Sequence, residues 1–436
     1  MTYREAVARL LALRGGELPG MRPGLERIQA LLDALGNPER AFRIAQVAGT
    51  NGKGSVSATL ASIAAASGLR TGLYTSPHLC SFRERIRVDG VCIAEDDVVD
   101  GVETIGTAVV RLDATVFEAT TALALDHFAQ QGVELAVLEV GLGGRLDATT
   151  VGQPEVQVVA RIDRDHEAYL GRTLAEIARE KAAIIRRGTA VTARQDPEVA
   201  EVVRARAAEV GVPLLEEGRD LAVAVEDSSL AGHHLRLAGP GWSLAGLACP
   251  LLGVFQPSNA LLAVAAARVL GAGEHAIRAG LASVRWPGRF QVVPGSPTWV
   301  LDGAHNPAGA RALAGSLAHH FPGSRVDLVI GVAADKDARG ILEPLLPLAA
   351  RVILTAASHP RAAAPAALRA LLAADDPRIE TSPSVATALA RVTRSPRAAI
   401  ACVAGSLFVI GEALAHRAGT ADVLCQAEWR ALASGA

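Results

Sequence analysis

The sequence predicts an α/β protein of two domains: an N-terminal P-loop-type domain on a mostly parallel sheet with a small antiparallel appendage, then a C-terminal Rossmann-like α/β domain. Three observations predict it. Short apolar strands alternate with amphipathic helices along most of the chain. A glycine-rich run, Gly49-Thr50-Asn51-Gly52-Lys53-Gly54-Ser55, follows the first clear strand and opens a helix. The strand–helix series then restarts beyond Pro294-Gly295-Ser296-Pro297, four residues unfit for helix or ladder, which puts the seam between 1–294 and 295–436. A chain of 436 residues is in any case too long for one ordinary core.

Taken in order, helices are expected around Tyr3–Leu13 and Leu25–Leu35, ahead of a strand at Phe42–Ala48. A helix from Gly54 to Ser67 follows the glycine turn, and a strand at Thr71–Thr75 follows that. Helix Glu118–Gln131 leads into the buried strand Leu135–Val140, and Val156–Ile162 is a second buried strand ahead of helix Thr173–Ile185. Between Val212 and Leu247 the pattern turns to short strands, with a hairpin through His233–Leu237 and Trp242–Leu247, which is the appendage. In the second domain, strands are expected at Thr298–Asp302, Asp327–Gly331, Arg351–Thr355 and Ala398–Val403, with a helix from Pro307. The Ala/Pro/Arg tract Arg361–Ala374 reads as a surface helix punctuated by proline, and no fixed-period repeat is present.

Composition narrows the function. Aromatics make up 3% of the chain, little material for a base-stacking platform, and a net charge of −2 leaves no electrostatic footprint for nucleic acid. The longer apolar segments, such as Ala260–Leu270, are interrupted well short of a membrane span, and the N-terminus lacks a secretory apolar region. Cys80, Cys92, Cys249, Cys402 and Cys425 are odd in number, widely spaced and without a CxxC pair, so they read as free thiols. A soluble, cytoplasmic protein that binds neither nucleic acid nor membrane is the expectation.

Forty of the 43 basic residues are arginine; the only lysines are Lys53, Lys181 and Lys336. Coding bias explains such scarcity without function, yet a lysine kept against that bias fits work a guanidinium cannot do, since only the ammonium readily loses its proton and reacts as an amine. Lys53 sits in the glycine run, where backbone N–H groups at a helix N-terminus suit an anion. The spacing is not that of the ordinary Walker loop: Gly49 to Gly52 is too short, and Gly54 splits Lys53 from Ser55. Glu139 ends a buried strand just before a glycine-rich loop, which suits a ligand-contacting carboxylate, or else an ion pair with an arginine. Asp302 and His305 flank a turn before a helix start at Pro307, a pattern that suits helix capping as well as an active site.

Further segments carry a resemblance. Thr75-Ser76-Pro77-His78-Leu79, Phe82-Arg83-Glu84-Arg85-Ile86, Phe117-Glu118-Ala119-Thr120-Thr121-Ala122 and Leu138–Thr149 follow the glycine run in order. Asp165-His166, Glu180-Lys181-Ala182, Phe255–Ala260, Trp286-Pro287-Gly288-Arg289-Phe290, Leu301–Pro307, Asp335-Lys336-Asp337 and Gly405–Phe408 come next. From about residue 40 to 412 this series resembles the folylpolyglutamate synthase/dihydrofolate synthase family, relatives of the Mur peptide ligases. The resemblance implies ATP-dependent ligation of L-glutamate to a pterin or folate carboxylate through an acyl phosphate. The substrate would be dihydropteroate, a reduced folate, or both; extension of folate tails alone and a Mur-type ligation of peptidoglycan precursors remain the alternatives. Lys-Gly-Ser in place of Lys-Thr-Ser or Lys-Thr-Thr at the loop's end, and the Ser-Pro-His-Leu segment, argue against the Mur type.

The resemblance also implies roles. Gly49, Thr50, Asn51, Gly52, Lys53, Gly54 and Ser55 would form the nucleotide loop, and Ser76, Glu139 and His166 would hold magnesium. Lys181 would be carbamoylated. Asn259 would lie near adenine, Arg289 on phosphate and Asp302 on the nucleotide. His305 would lie near the transferring phosphate and incoming amino acid, Ser406 on glutamate, and Phe117 and Asp147 among the substrate-binding positions. Lys53, Lys181 and His305 are the catalytic candidates, Lys336 no more than a site-edge residue, and the protein a monomer. Three departures bear on the pterin and metal surroundings: Thr150 where the family usually has Asn, Ala183 where it has Gly, and the charged run Arg161-Ile162-Asp163-Arg164.

Overall fold

The computed structural model describes residues 1–14, 23–373 and 375–417. Its first body is an eight-stranded sheet of β1 (Arg43–Ala48), β2 (Thr71–Tyr74), β3 (Ile86–Val88), β4 (Val91–Cys92), β5 (Leu135–Glu139), β6 (Pro154–Val159), β7 (Thr189–Thr192) and β8 (Leu214–Glu216). The spatial order is β4-β3-β2-β5-β1-β6-β7-β8, parallel from β2 to β8, with β3 and β4 added antiparallel at one edge. Because side chains alternate across a strand, Ala45, Val47, Leu135 and Val137 enter one core with helices Lys53–Ala66 and Gln256–Val269. Ile44, Ala136 and Leu138 enter the other, with Tyr3–Leu11, Glu95–Arg111 and Val116–Gln130. Burial on both faces is why these strands read as continuous apolar runs. The carboxyl ends of β1, β2, β5 and β6 run into the glycine loop and the segments starting at Thr75, Val140 and Ala160, the edge where open parallel sheets bind ligands.

The appendage is a three-stranded antiparallel sheet of β9 (Ala222–Ser229), β10 (Gly232–Gly239) and β11 (Trp242–Cys249), in which Leu235 pairs with Leu247 and Leu237 with Leu244. The second body is a six-stranded sheet of β12 (Gln291–Val293), β13 (Thr298–Leu301), β14 (Val326–Ile330), β15 (Ala349–Leu354), β16 (Ile379–Thr381) and β17 (Ile400–Ala404), ordered β12-β13-β17-β14-β15-β16. Only β12 runs antiparallel.

That edge strand moves the expected seam. Gln291 pairs with Leu301 and Val293 with Trp299, so Pro294–Pro297 is the turn of a hairpin inside the second sheet, and the chain crosses between bodies before residue 291. Residues that cannot ladder suit a hairpin turn as well as a linker, and the sequence does not distinguish the two. Only Pro365–Arg369 of the tract at Arg361–Ala374 is helical, and residue 374 is outside the described residues. Cys80, Cys92, Cys249 and Cys402 form no disulfide among the described residues; Cys425 lies outside them. Among the described residues no helix is long and apolar enough to cross a membrane.

Candidate active site

The glycine loop is held by contacts within the chain. Gly49 (φ 148°) lies so close to β6 that a Cβ would come within 2.9 Å of the Ala160 Cβ. Gly52 (φ 92°) precedes the helix Lys53–Ala66, and a side chain there would run into the Asn259 amide. Thr50 and Asn51 N–H donate to the Arg161 carbonyl at 2.9 and 3.2 Å. The Thr50 hydroxyl donates to Asp163 O at 2.9 Å and accepts from Asp163 N at 3.0 Å. The charged run after β6 is therefore the strut of the loop. Lys53 folds its ammonium back over the carbonyls of Gly49 (3.2 Å) and Thr50 (3.3 Å). Ser55 is buried behind the loop, its hydroxyl accepting from Gln256 Nε2 at 3.2 Å, and Asn259 donates to Gln256 Oε1 at 3.0 Å.

Lys181 approaches the same carbonyl. It stands on the helix Leu174–Ala182, started by a reciprocal Thr173–Glu176 cap, and its Nζ donates to Gly49 O at 2.9 Å. Burial first, then the charge of Lys53, push its pKa down to about 7. An amine with a sizeable neutral fraction near neutral pH is what carbamoylation by CO2 requires.

Glu139, the last residue of β5, accepts from the Ser76 N–H at 3.1 Å. Burial raises its pKa against the pull of Lys53, the Ser76 N–H and Arg289. A buried carboxylate beside a serine hydroxyl suits a hard cation such as Mg2+, whose charge would relieve that desolvation. His166 adopts φ 54° and is buried enough that its pKa falls to about 3, so its ring is neutral. Its Nε2 lies 3.3 Å from the Lys336 ammonium. Among the described residues no three His, Cys, Asp or Glu side chains gather into a metal cage. A cation here would complete its shell with phosphate and water oxygens, as Mg2+ commonly does.

The second body supplies the opposite wall. Both oxygens of Asp302 accept backbone N–H groups, Oδ2 from Phe290 at 2.7 Å and Oδ1 from Ala304 at 2.8 Å. This buried carboxylate, expected as a nucleotide contact, braces the corner that carries Arg289 and His305; its edge still lines the cleft. His305 Nδ1 donates to Gly303 O at 2.8 Å, which leaves Nε2 as the acceptor, 3.7 Å from Asp165. Burial brings the His305 pKa down to about 4. Ser406 accepts from Phe408 N at 3.2 Å, at the start of helix Leu407–Arg417.

Toward the other end, Asp147 organises the loop after β5, accepting from Leu142 N (2.9 Å), Thr149 N (3.0 Å) and Thr149 Oγ1 (2.6 Å). Phe117 lies 6.0 Å from the Tyr74 ring and packs against Gly141. Thr150, the departure from the family pattern, donates to Gly144 O at 2.6 Å and accepts from Gln46 Nε2 at 2.9 Å, so its hydroxyl holds the same loop.

Between the bodies lies a cleft of about 630 Å³. It is lined by Thr50, Asn51, Gly52, Lys53, Gly54, Ser76, Phe117, Glu139, Asp147, His166, Asn259, Arg289, Asp302, His305 and Ser406. Of the residues expected in the site, Gly49, Ser55 and Lys181 stand behind the lining, all three buried. Two residues were missed and one undervalued. Asp165 binds the Lys336 ammonium through Oδ1 and accepts from Asn306 Nδ2 at 3.1 Å through Oδ2. Burial works to raise the Asp165 carboxyl, and His166, His305 and Lys336 outweigh it, holding it well below the usual carboxylate range. Asp165 and Asn306 lie in segments that carry the resemblance, beside His166 and His305, and neither was given a role from that position.

Residues 47–267 match the Mur ligase middle domain, and residues 288–407 match the Mur ligase glutamate ligase domain. A dihydrofolate synthase/folylpolyglutamate synthase of Mycobacterium tuberculosis is 39% identical over 367 residues, 78% of this chain and 75% of that protein. Among solved structures, a Mycobacterium tuberculosis folylpolyglutamate synthase complexed with ADP superposes with a TM-score of 0.88 at 36% identity, covering 96% of this chain and 98% of that one. An E. coli protein, FolC, in complex with DHPP and ADP gives 0.87 at 33% identity, with the same two shares of 96% and 98%.

Proposed function

This chain belongs to the folylpolyglutamate synthase/dihydrofolate synthase family of the Mur ligase superfamily, and we propose that it is bifunctional, joining L-glutamate both to dihydropteroate and to a reduced folate. ATP-dependent acid–amino-acid ligation is the family's reaction. The observation that carries the proposal is the shared cleft. The phosphate loop and Glu139 stand on one wall, Arg289 and His305 on the other, and Phe117 and Asp147 flank the end available to a pterin.

In this reading the folate carboxylate attacks the γ-phosphorus of ATP, the β–γ bridging bond breaks, and ADP leaves an acyl phosphate. The α-amine of glutamate then adds to the acyl carbon, loses a proton, and the tetrahedral adduct expels phosphate. Lys53 exchanges two loop carbonyls for phosphate oxygens, and Arg289 meets the same charge from the second body. The neutral His305 offers Nε2 as a proton acceptor near the amine. Closing the second body over the cleft would shield the acyl phosphate from water while glutamate attacks. Ser76, Glu139 and His166 would hold Mg2+, which when bound supplies charge to the phosphates. Lys181 would take up CO2 as a carbamate, its amine losing one proton. The resulting anion would then face the cation site.

The test is product formation that depends on ATP, Mg2+ and glutamate, run with dihydropteroate and separately with a tetrahydrofolate monoglutamate. Activity with both is the expected result. Activity with the folate alone reduces the protein to a tail-extending ligase, the reading favoured by a Lacticaseibacillus casei relative named folylpolyglutamate synthase, 38% identical over 325 residues. No product with either overturns the proposal. The same reading carries a cytoplasmic monomer without nucleic-acid or membrane partners; its mass in solution and its retention on DNA and vesicles check that part.

A further inference from the structure

The Asn306 side chain is 2% exposed, and its amide has no spare capacity. Its two N–H donors reach Asn51 Oδ1 (3.0 Å) and Asp165 Oδ2 (3.1 Å). Its oxygen accepts from Gly309 N (2.8 Å) and from Asn51 Nδ2 (3.3 Å). Two donors and two acceptor sites are all an asparagine amide possesses, so the site is saturated and only one orientation of the amide satisfies it. The partners come from three places: the phosphate loop, the Asp165-His166 segment after β6, and the first turn of Asn306's own helix, Pro307–His320. Two of these are on the first body and one on the second. Asp165 is held on its other oxygen by Lys336, also of the second body. One contact between the bodies is thus a chain of directional bonds that ends on the loop itself.

We infer that Asn306 is a positioning residue which couples docking of the second body to the shape of the phosphate loop, through Asn51 and Asp165. The inference rests on the ligase reading above for its kinetic consequence, though not for its structural one. If the loop takes its working form only when Asn306 is docked, phosphate transfer is confined to the closed arrangement. The acyl phosphate is then made only where glutamate is at hand. Loss of the coupling would show as ATP consumed without product.

Asn306 also caps its helix, so alanine alone would confuse two roles. Asn306→Ser keeps a hydroxyl acceptor for Gly309 N, the usual work of a cap, but cannot reach Asn51 and Asp165. Asn306→Asp keeps the cap acceptor and sets a like charge against Asp165. The experiment is amide hydrogen exchange on the full-length protein, read separately over 49–55 and 307–311, together with the ratio of ATP hydrolysed to product formed. Asn306→Ser is expected to speed exchange in 49–55 about tenfold or more, the worth of one or two hydrogen bonds, with 307–311 unchanged. The hydrolysis ratio should rise above one. Asn51→Ala should reproduce both effects, and the double variant should be no worse than either single change. Exchange that quickens only in 307–311, or additive effects of the two substitutions, would overturn the coupling and leave Asn306 a helix cap. Exchange is read without turnover, so an unaltered chain that makes no product counts against the ligase reading alone.

Discussion

On the first body's side of the cleft, anions would be met by main chain: a loop of glycines pinned to the segment after β6, with N–H groups opening a helix. On the second body's side the work falls to side chains, Arg289, His305 and Lys336, each held by a specific partner or braced corner. The difference teaches where tolerance lies. A backbone site survives side-chain changes around it and fails when its geometry is filled. A side-chain site fails one residue at a time, often through the residue that holds another.

The largest expected effect tests the single side chain on which the backbone wall depends. Lys53→Met should lower kcat by about two to three orders of magnitude, the loss typical of one electrostatic stabiliser. Its thermal unfolding should stay near that of the unaltered protein, because Lys53 bonds only to loop carbonyls. Next comes Lys181. Lys181→Met is expected to cost about a hundredfold in kcat. Lys181→Arg should not restore it, since a guanidinium has no neutral form near neutral pH. Activity of the unaltered protein should fall in CO2-stripped buffer and return with bicarbonate, more readily as pH rises through about 7. The sign for stability follows. The unfolded amine keeps its proton up to its ordinary value of 10.5 and the folded one only to about 7, so stability rises with pH across that window. Denaturant titrations of Lys181→Met should lack that slope.

A smaller effect sharpens the comparison on the other wall. Asp302→Asn leaves one oxygen for two backbone donors and should cost about 1–3 kcal/mol of stability, the penalty for an unmet buried N–H. Urea unfolding reads it, and KM for ATP should rise as the Arg289 corner loosens. The smallest effect lies outside the cleft, where His320 closes helix Pro307–His320 against His233 of β10 and Phe290. Burial, then His319 and His233, push His320 down to about 4, whereas the unfolded ring titrates near 6.5. Stability is therefore lost as pH falls below 6.5 toward 4, and His320→Gln should flatten that decline while changing little at pH 7.

What was legible in the chain follows the same division. Glycines at fixed offsets between a strand and a helix announce a backbone site, and the rarity of lysine drew attention to Lys181 before its burial was known. The inner strands β1, β2, β5 and β6 of the first sheet and β13, β14, β15 and β17 of the second were legible because burial on two faces makes apolar runs; β7, β12 and β16 were not. The hairpin of β3 and β4 was not, for strands of three and two residues carry no period. Nor was the Asn51–Asn306–Asp165 chain, whose members are joined across 255 positions by a reciprocal pair of hydrogen bonds and across 141 by one. The bracing role of Asp302 was not legible, since a strand-end aspartate looks the same whether it faces a ligand or two backbone N–H groups.

Lys53 and Lys336 line the cleft, and Lys181 lies just behind it, touching Gly49. These are all the lysines of the chain. Apart from the α-amino group of Met1, which lies near Glu103, an acylating reagent selective for amines finds its targets nowhere else. Cleavage after unmodified lysine cuts the chain into four peptides, and each acylated lysine blocks its own cut and leaves its two neighbouring peptides joined. Mass spectrometry of a labelled digest would therefore read ligand occupancy at three points of the site, without any engineered probe and against almost no background.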